Sequence, residues 1–578
     1  MIRQSSLPAW RTSPWFVLTI VSLPVFIGAL DLTIISAVLP EVITSLELPV
    51  KEYLDQASWA VTGYLLAYAI SMTFAGRLSD LLGRRAVYIA CLIVFMFGSY
   101  MVTAYDSSLI NGWIARFYNQ VLGQRPPRLE ERYLYLVITG RIVQALGAGA
   151  MVPVTIALAG DLFPPNRRAQ PIGFVGAIDT LGWVLGHLYG GVMVRFFGEQ
   201  GHHFVTAFDR IGIAIAKPSW ETLFILNIPI TLLALIGAWW VLRGIDRPHT
   251  TGRFDIWGML LFSAALIALN LGIGTTSPEA ATSANSFEDL QSSSAGASTL
   301  FLIVAALAFI GFLVVETRSK FPLIPLKLFR SRNFSAASAA NLLVGFCLAI
   351  GLVSAPLVVN FRVETPTSDE IQNAAYIAGV LLSGLTIPIA LAAVPGGWFS
   401  DRYGYRRPTA VGLALAAAGF ALTGLVWDTD TPYWLMGSQM AIIGVGLGLT
   451  ISPIGTAVLN DVPEADRGVA SAQVLILRLI GMTLAISSMT IYALDRFDVY
   501  IDDYTEPEVV ETTDESTISA TLSAAIDVIK ELQFIGAAIS AVGVGIALLL
   551  RGGRSVPAST GAGGARASQE LTGAVPDD

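Results

Sequence analysis

The stretch GRLSDLLGRR at residues 76–85 decides how the rest of the chain is read, because it returns. Residues 397–407 read GWFSDRYGYRR. Gly76, Ser79, Asp80 and Gly83 recur as Gly397, Ser400, Asp401 and Gly404, each 321 positions on. Both copies follow a long apolar run and lead into arginines, Arg84 and Arg85 in the first and Arg406 in the second. Matching loops at matching places imply two related halves, the plan of many secondary transporters, whose site lies between the repeats. The glycines permit a tight turn. Asp80 can cap a helix N terminus or pair with an arginine of a neighbouring segment. Such a charged clasp can be made in one conformation and broken in the other. The alternative is a merely solvated, positively charged loop.

Working outward, composition names the solvent. Of 578 residues 54% are hydrophobic and 13% charged, and mean hydropathy is +0.64. A soluble chain carries about 25% charged residues. A soluble multidomain enzyme, a disordered chain and a fibre are therefore excluded. A formal charge of −8 and a pI near 5.2 argue against a nucleic-acid partner. Cys91 and Cys347 both sit in apolar runs, so neither a disulfide framework nor a zinc site is indicated.

A membrane helix needs roughly 20 mainly apolar residues. Fourteen windows qualify, near 15–40, 57–77, 86–104, 133–162, 170–195, 220–242, 256–274, 298–316, 335–360, 373–398, 408–427, 433–459, 467–495 and 532–550. They lack the period-two alternation of barrel strands. The first is too long for a signal-peptide core and contains Asp31. An even count puts both termini on one side. With the N terminus inside, 22 of the 35 Lys and Arg fall inside and 11 outside, Arg141 and Arg478 lying within spans. Both ends are therefore expected to be cytoplasmic. The outer excess is concentrated in the loop 105–132, which holds RFYNQVLGQRPPRLEER. Two other long outer stretches are 196–219, with His202 and His203, and the acidic 496–530, with Asp502, Asp503, Glu506, Glu508 and Glu511. The Ser/Ala-rich segment 276–297 reads as a flexible loop.

The expected fold class is an all-α integral membrane protein. Residues 1–14 form a cytoplasmic N terminus and 15–242 a first six-helix half. Two extra helices and a cytoplasmic loop occupy 243–332. A second six-helix half covers 333–550 with an external extension at about 496–530, and 551–578 is a disordered cytoplasmic tail.

The repeated loop resembles the signature of the major facilitator superfamily, and further stretches agree. LDLTIISAVLP at 30–40 is similar to the first-span motif of its fourteen-span drug:proton antiporters. RIVQALGAGAMVPV at 141–154 resembles the fourth-span motif, and GWVLGHLYGG at 182–191 the fifth-span antiporter motif. WETLFILNIPI at 220–230 resembles the sixth-span motif, and FDIWG at 254–258 opens the extra pair of spans. His187 stands where the fifth-span motif has Pro, but Gly182, Gly186, Gly190 and Gly191 keep the pattern for close helix packing. More narrowly, DRYGYRRPTA, GVGLGLTISPIGTAVLNDVP, GVASAQVLILRLIGM and ALDRF look like a mycobacterial lipid exporter associated with multidrug tolerance. That resemblance implies a triacylglycerol-type cargo, a periplasmic lipoprotein partner and elongated last helices.

Four charges stand inside the expected spans: Asp31, Arg141, Asp179 and Arg478. Such residues cost ~2.5–3.5 kcal/mol on insertion and usually line the bundle interior for a use. Desolvation favours a protonated acid and a nearby cation favours the carboxylate. An acid that gains and loses an arginine partner between conformations would bind and release a proton. Asp31 is the first candidate for that role, a static buried ion pair being the alternative. Arg141 stays charged and can tune a carboxylate or organise water beside Gln144. Asp179 is a second titrating candidate, or caps a break in its helix. Arg478 can pair with a carboxylate of the other half and lock the cavity. Gln144 and His187 are the expected cavity residues. Glu316, Asp461 and Asp495 lie nearer span ends.

The expectation is a proton-coupled exporter of hydrophobic or amphipathic compounds, drugs or lipids, in the cytoplasmic membrane. A proton gradient drives it in place of a cofactor or metal. No GxxxxGK[ST] phosphate loop is present, and no nucleophile–base pair suggests an enzyme. A nutrient importer and a sensor built on the transporter fold are the other readings.

Overall fold

The computed structural model describes residues 13–49, 53, 56–209, 217–243, 254–273, 298–362, 368–504 and 514–551. The N-terminal residues 1–12, the segment 276–297, the acids Glu506, Glu508 and Glu511, and the tail from 552 lie outside them, as do the side chains of His187, His202 and Asp503.

Among the described residues the long regular elements are all helices. They are α1 (Pro14–Ser45), α2 (Trp59–Leu82), α3 (Arg84–Thr103), α4 (Ser108–Phe117), α5 (Leu129–Leu162), α6 (Ala169–Asp209), α7 (Trp220–Val241), α8 (Ile256–Ile273), α9 (Ser298–Arg318), α10 (Arg332–Phe361), α11 (Ser368–Tyr403), α12 (Arg406–Val426), α13 (Tyr433–Asn460), α14 (Arg467–Tyr504) and α15 (Asp514–Ala547). In hydrocarbon every backbone N–H and C=O must be satisfied within the segment, which is why apolar runs of this length become helices. Twelve of the described helices are long and apolar enough to cross a membrane, making this a multi-pass membrane protein. The two other expected windows fall in α6 and in α8, whose apolar stretch Ile256–Gly272 is shorter.

The helices pack as two bodies. In the first, α2 and α3 lie on α5 and α1 lies on α6; in the second, α11 and α12 lie on α13 and α10 lies on α14. Each body has its own apolar core, one including Leu18, Tyr64 and Phe95, the other Phe334, Phe420 and Trp427. The bodies meet where α6 touches α11 and α13, and where α14 touches α2 and α5. Helices α8 and α9 pair with each other beside α2.

Two of the stretches expected outside hold more structure than loops. Residues 105–132 contain the short helix α4. The 496–530 extension consists, where described, of α14 running on to Tyr504 and α15 beginning at Asp514. The two helices are joined through Glu531, in the middle of α15, whose carboxylate accepts from Arg496 (2.9 Å), Tyr492 (2.9 Å) and Tyr500 (2.9 Å) of α14.

Candidate functional site: a clasp and a cavity between two halves

Gly83 and Gly404 stand between consecutive helices at φ 91° and φ 81°, a backbone region that side chains rarely adopt. Each tight turn presents an aspartate on the preceding helical turn to the other body. Asp80 accepts the backbone N–H groups of Gly468 (3.1 Å) and Val469 (3.3 Å), at the N terminus of α14. Asp401 accepts the N–H of Ala169 (3.3 Å), at the N terminus of α6. The repeated acids therefore cap helices of opposite halves, where the partial positive charge of a helix start favours an anion. Close approach completes the contact: a side chain at Gly76 would run into the Gly468 carbonyl.

Arginines surround the first copy. Arg84 lies 2.6 Å from Asp80 and 3.2 Å from Asp161. Asp161 also receives Arg467 from the other half at 2.9 Å, and Arg77 faces Asp466 at 3.5 Å. Beside the second copy, Arg168 donates to Asn460 (2.8 Å), and Ser452 donates to the Ala169 carbonyl. Burial pulls the Arg168 guanidinium down to about 10, neighbouring Arg467 adding to the effect, so Arg168 keeps its charge at neutral pH. Two expected clasp residues are elsewhere. Arg85 lies over the Trp239 ring (5.4 Å), and Arg406 is exposed.

Away from the clasp the halves part around a cavity of about 190 Å³. Its wall is mostly apolar, with Met72, Trp183, Leu348, Leu352, Ile387 and Met482 among its side chains. Among the described lining residues only Asp179 and Arg478 are charged, one from α6 and one from α14. Asp179 is 8% exposed, and its Oδ1 has no hydrogen-bond partner; nor has the Nε of Arg478. No salt bridge joins them.

Asp31 and Arg141 are placed differently. Arg141 Nη1 donates to Asp31 Oδ2 and to Gln144 Oε1 (2.7 Å), and Asn227 donates to Asp31 Oδ1 (2.7 Å). Gln144 donates onward to Ser99 (2.9 Å), and the Arg141 guanidinium lies 3.9 Å over the Tyr64 ring. Asp31, Arg141 and Gln144 are all 0% exposed. The network belongs to α1, α2, α3, α5 and α7 of one half, and none of its members lines the cavity; Gln144 is thus a network residue where the sequence suggested a cavity one. The fifth-span glycines hold this half together. A side chain at Gly182 would meet Ala29 and Phe26, and one at Gly186 would overlap Leu30 and Thr33. Gly190 and Gly191 continue α6 beyond them.

Sequence reasoning passed over Asp161, Arg467 and Asn227. A signal for the first two was present. GDLFPPNRR at 160–168 and NDVPEADRG at 460–468 set Asp161 and Arg167 against Asp461 and Arg467, 300 positions on, after Pro153 and Pro453. Asn227 carried no such mark.

Residues 21–486 match the family model described as Major Facilitator Superfamily. The chain is 30% identical over 503 residues to a triacylglyceride transporter of Mycolicibacterium hassiacum, covering 85% of this chain and 82% of that one. It is 30% identical over 488 residues to a triacylglyceride transporter of Mycobacterium tuberculosis, covering 82% of each. Among solved structures, the proton:xylose symporter XylE bound to 6-bromo-6-deoxy-D-glucose is similar with a TM-score of 0.52 at 14% identity, over 91% of this chain and 94% of that one. At that identity the likeness is one of fold.

Proposed function

The chain belongs to the major facilitator superfamily, and from that premise we propose that it is a proton-coupled exporter of a triacylglyceride-type lipid, working by alternating access across the cytoplasmic membrane. The observation that carries the reading is the apolar cavity between the halves, which touch at the clasp, faced by Asp179 and Arg478 from opposite halves. An apolar wall suits an acyl chain. Drug-sized ligands occupy pockets of roughly 300–1,000 Å³, so a cavity of about 190 Å³ takes one portion of a large lipid at a time. The names of the relatives support the same cargo class.

In this reading all fourteen windows span the bilayer and both termini are cytoplasmic. With the arginine-rich clasp on the cytoplasmic side, as the positive-inside rule favours, this reading takes the closed end as the inner one and the state as outward-facing. A proton from outside neutralises Asp179. Its release follows when the halves rock and Asp179 meets Arg478. Glu531 stiffens the α14–α15 extension, which passes the lipid toward a periplasmic lipoprotein.

Flux in proteoliposomes with an imposed pH gradient tests this, comparing a fluorescent triacylglyceride with a fluorescent cationic dye. Gradient-driven lipid efflux supports the reading. Dye efflux alone means a drug exporter, accumulation down the proton gradient an importer, and no flux of either a sensor.

A further inference from the structure

Residues 105–132 carry the excess of basic residues at the end of the bundle opposite the clasp, and the transport cycle makes no use of them. Helix α4 within this stretch has two faces. Asn111, 5% exposed, turns toward the bundle: its Nδ2 donates to the carbonyls of Tyr105 (2.8 Å) and Ser107 (3.0 Å), and the Asn111 backbone carbonyl accepts from Arg132 (3.1 Å). The opposite face carries Leu109 (84% exposed), Trp113 (67%) and Phe117 (39%). Residues four apart fall on one stripe of a helix, and the Trp113 and Phe117 rings stack at 5.8 Å. Arg116 is exposed on the same side, and Arg125 and Arg128 are exposed just after it.

A stripe of large apolar side chains in water is unfavourable. Edged with arginines, it has the make-up of a helix lying in the plane of a bilayer surface, its apolar side chains in the acyl boundary and its guanidinium groups reaching up to phosphates. Position agrees. The loop is strung between the ends of α3 and α5, where Tyr100, Leu129 and Tyr135 are exposed, so α4 sits at the level where the spans leave the membrane. We propose that α4 lies on the bilayer at this end of the bundle and that Arg116, Arg125 and Arg128 bind the anionic headgroups of that leaflet. The leaflet is the outer one if the orientation proposed above holds; the membrane contact itself does not depend on it. The basic residues of this stretch then have a use: they face the phosphates of anionic headgroups, which attract an interfacial basic helix.

The test places a nitroxide at Leu109→Cys or Trp113→Cys in the full-length protein. The native Cys91 and Cys347 are buried and do not compete for label. In vesicles containing phosphatidylglycerol, collision with oxygen and with a water-soluble nickel complex is expected to place both labels about 5–10 Å below the headgroups. In phosphatidylcholine alone they are expected to lie shallower, and the triple variant Arg116→Gln, Arg125→Gln, Arg128→Gln is expected to lose that difference. A label at exposed Asp106 is expected to remain in water. Water-like accessibility at 109 and 113 in both vesicles overturns the proposal and leaves the stripe to a protein partner. Equal depth in both, unchanged in the triple variant, overturns the headgroup contact. Separately, an impermeant thiol reagent acting on Gln124→Cys in intact cells reports the side. Reaction only in broken cells overturns the orientation and leaves the membrane contact standing.

Discussion

Replacing Asp80 tests whether the clasp holds the closed end. Its carboxylate accepts two backbone N–H groups of the other half, at 3.1 Å and 3.3 Å, and the residue is 7% exposed. The Arg84 ion pair is not counted, because Arg84 and Asp80 sit on the same half and stay paired when the halves part. Hydrogen bonds to a charged group contribute ~1.5–3 kcal/mol each. Both distances are toward the long end, so Asp80→Ala is expected to remove about 3 kcal/mol from the closed state alone. That is about a hundredfold in the equilibrium, at about 1.4 kcal/mol per tenfold. It brings a state populated at about 99:1 close to parity. Asp80→Asn keeps an acceptor of the right shape, since Asn and Asp cap about equally well, and its shift is expected to be tenfold or less. Nitroxides at Leu82→Cys and Arg407→Cys, both exposed at the clasp end, report the gap by double electron–electron resonance. A second pair, Gln124→Cys and Asp502→Cys, reports the opposite end, where both residues are also exposed. Asp80→Ala is expected to add a longer distance at the clasp and a shorter one opposite, with Asp80→Asn between it and the wild type. An unchanged clasp distance in Asp80→Ala, with the melting temperature of the wild type, would refute the idea that these contacts hold this state.

Arg478→Ala should abolish export while membrane insertion, measured by yield in the membrane fraction, stays normal; wild-type flux would remove Arg478 from the mechanism. Asp31→Asn breaks a fully buried pair and should lower stability by ~3–5 kcal/mol, read as a fall in melting temperature. Asp179→Asn has no bonded partner to lose at Oδ1, so it should melt as the wild type does yet no longer respond to an imposed pH gradient in the flux assay. Gly186→Leu drives a side chain into the Leu30 backbone of α1, and overpacking of this kind costs about 1–3 kcal/mol or more, again visible in the melting temperature.

The apolar windows were legible because a bilayer imposes one solution on a long uncharged run, and helices stand where the sequence put them, including α6 with its frequent glycines. The repeated loops were legible because a positive-φ turn between helices demands Gly83 and Gly404 at fixed spacing from the aspartates. What Asp80 and Asp401 touch was not legible. The donors to them are backbone N–H groups of Gly468, Val469 and Ala169, and a backbone group leaves no trace in residue identity. Gln144 was expected to line the cavity, but its side chain turns into its own half, toward Arg141 and Ser99. Nor does a sequence say which end of the bundle is closed, since the same residues must serve both states.

The placement of the charges bears on where energy coupling can reside. If the halves move as bodies, a pair within one half keeps its geometry through the cycle and contributes equally to both states. A ligand or proton shifts an equilibrium only through its differential interaction with the two states. Asp31 with Arg141, and Arg496 with Glu531, are therefore poorly placed to couple, however tightly they are bound. Contacts across the halves do change: Asp80 to α14, Asp401 to α6, and Arg467 to Asp161. These lie at the clasp, packed away from the cavity, and favour closure whether or not a substrate is present. Among the described charged residues only Asp179 and Arg478 combine the two requirements, facing the cavity and sitting on opposite halves. A proton on Asp179 removes its attraction for Arg478 in whichever state brings them closer, and so biases the other. In the proposed proton-coupled cycle the clasp then sets the baseline between the two states, and the Asp179 carboxylate is where a gradient acts on it.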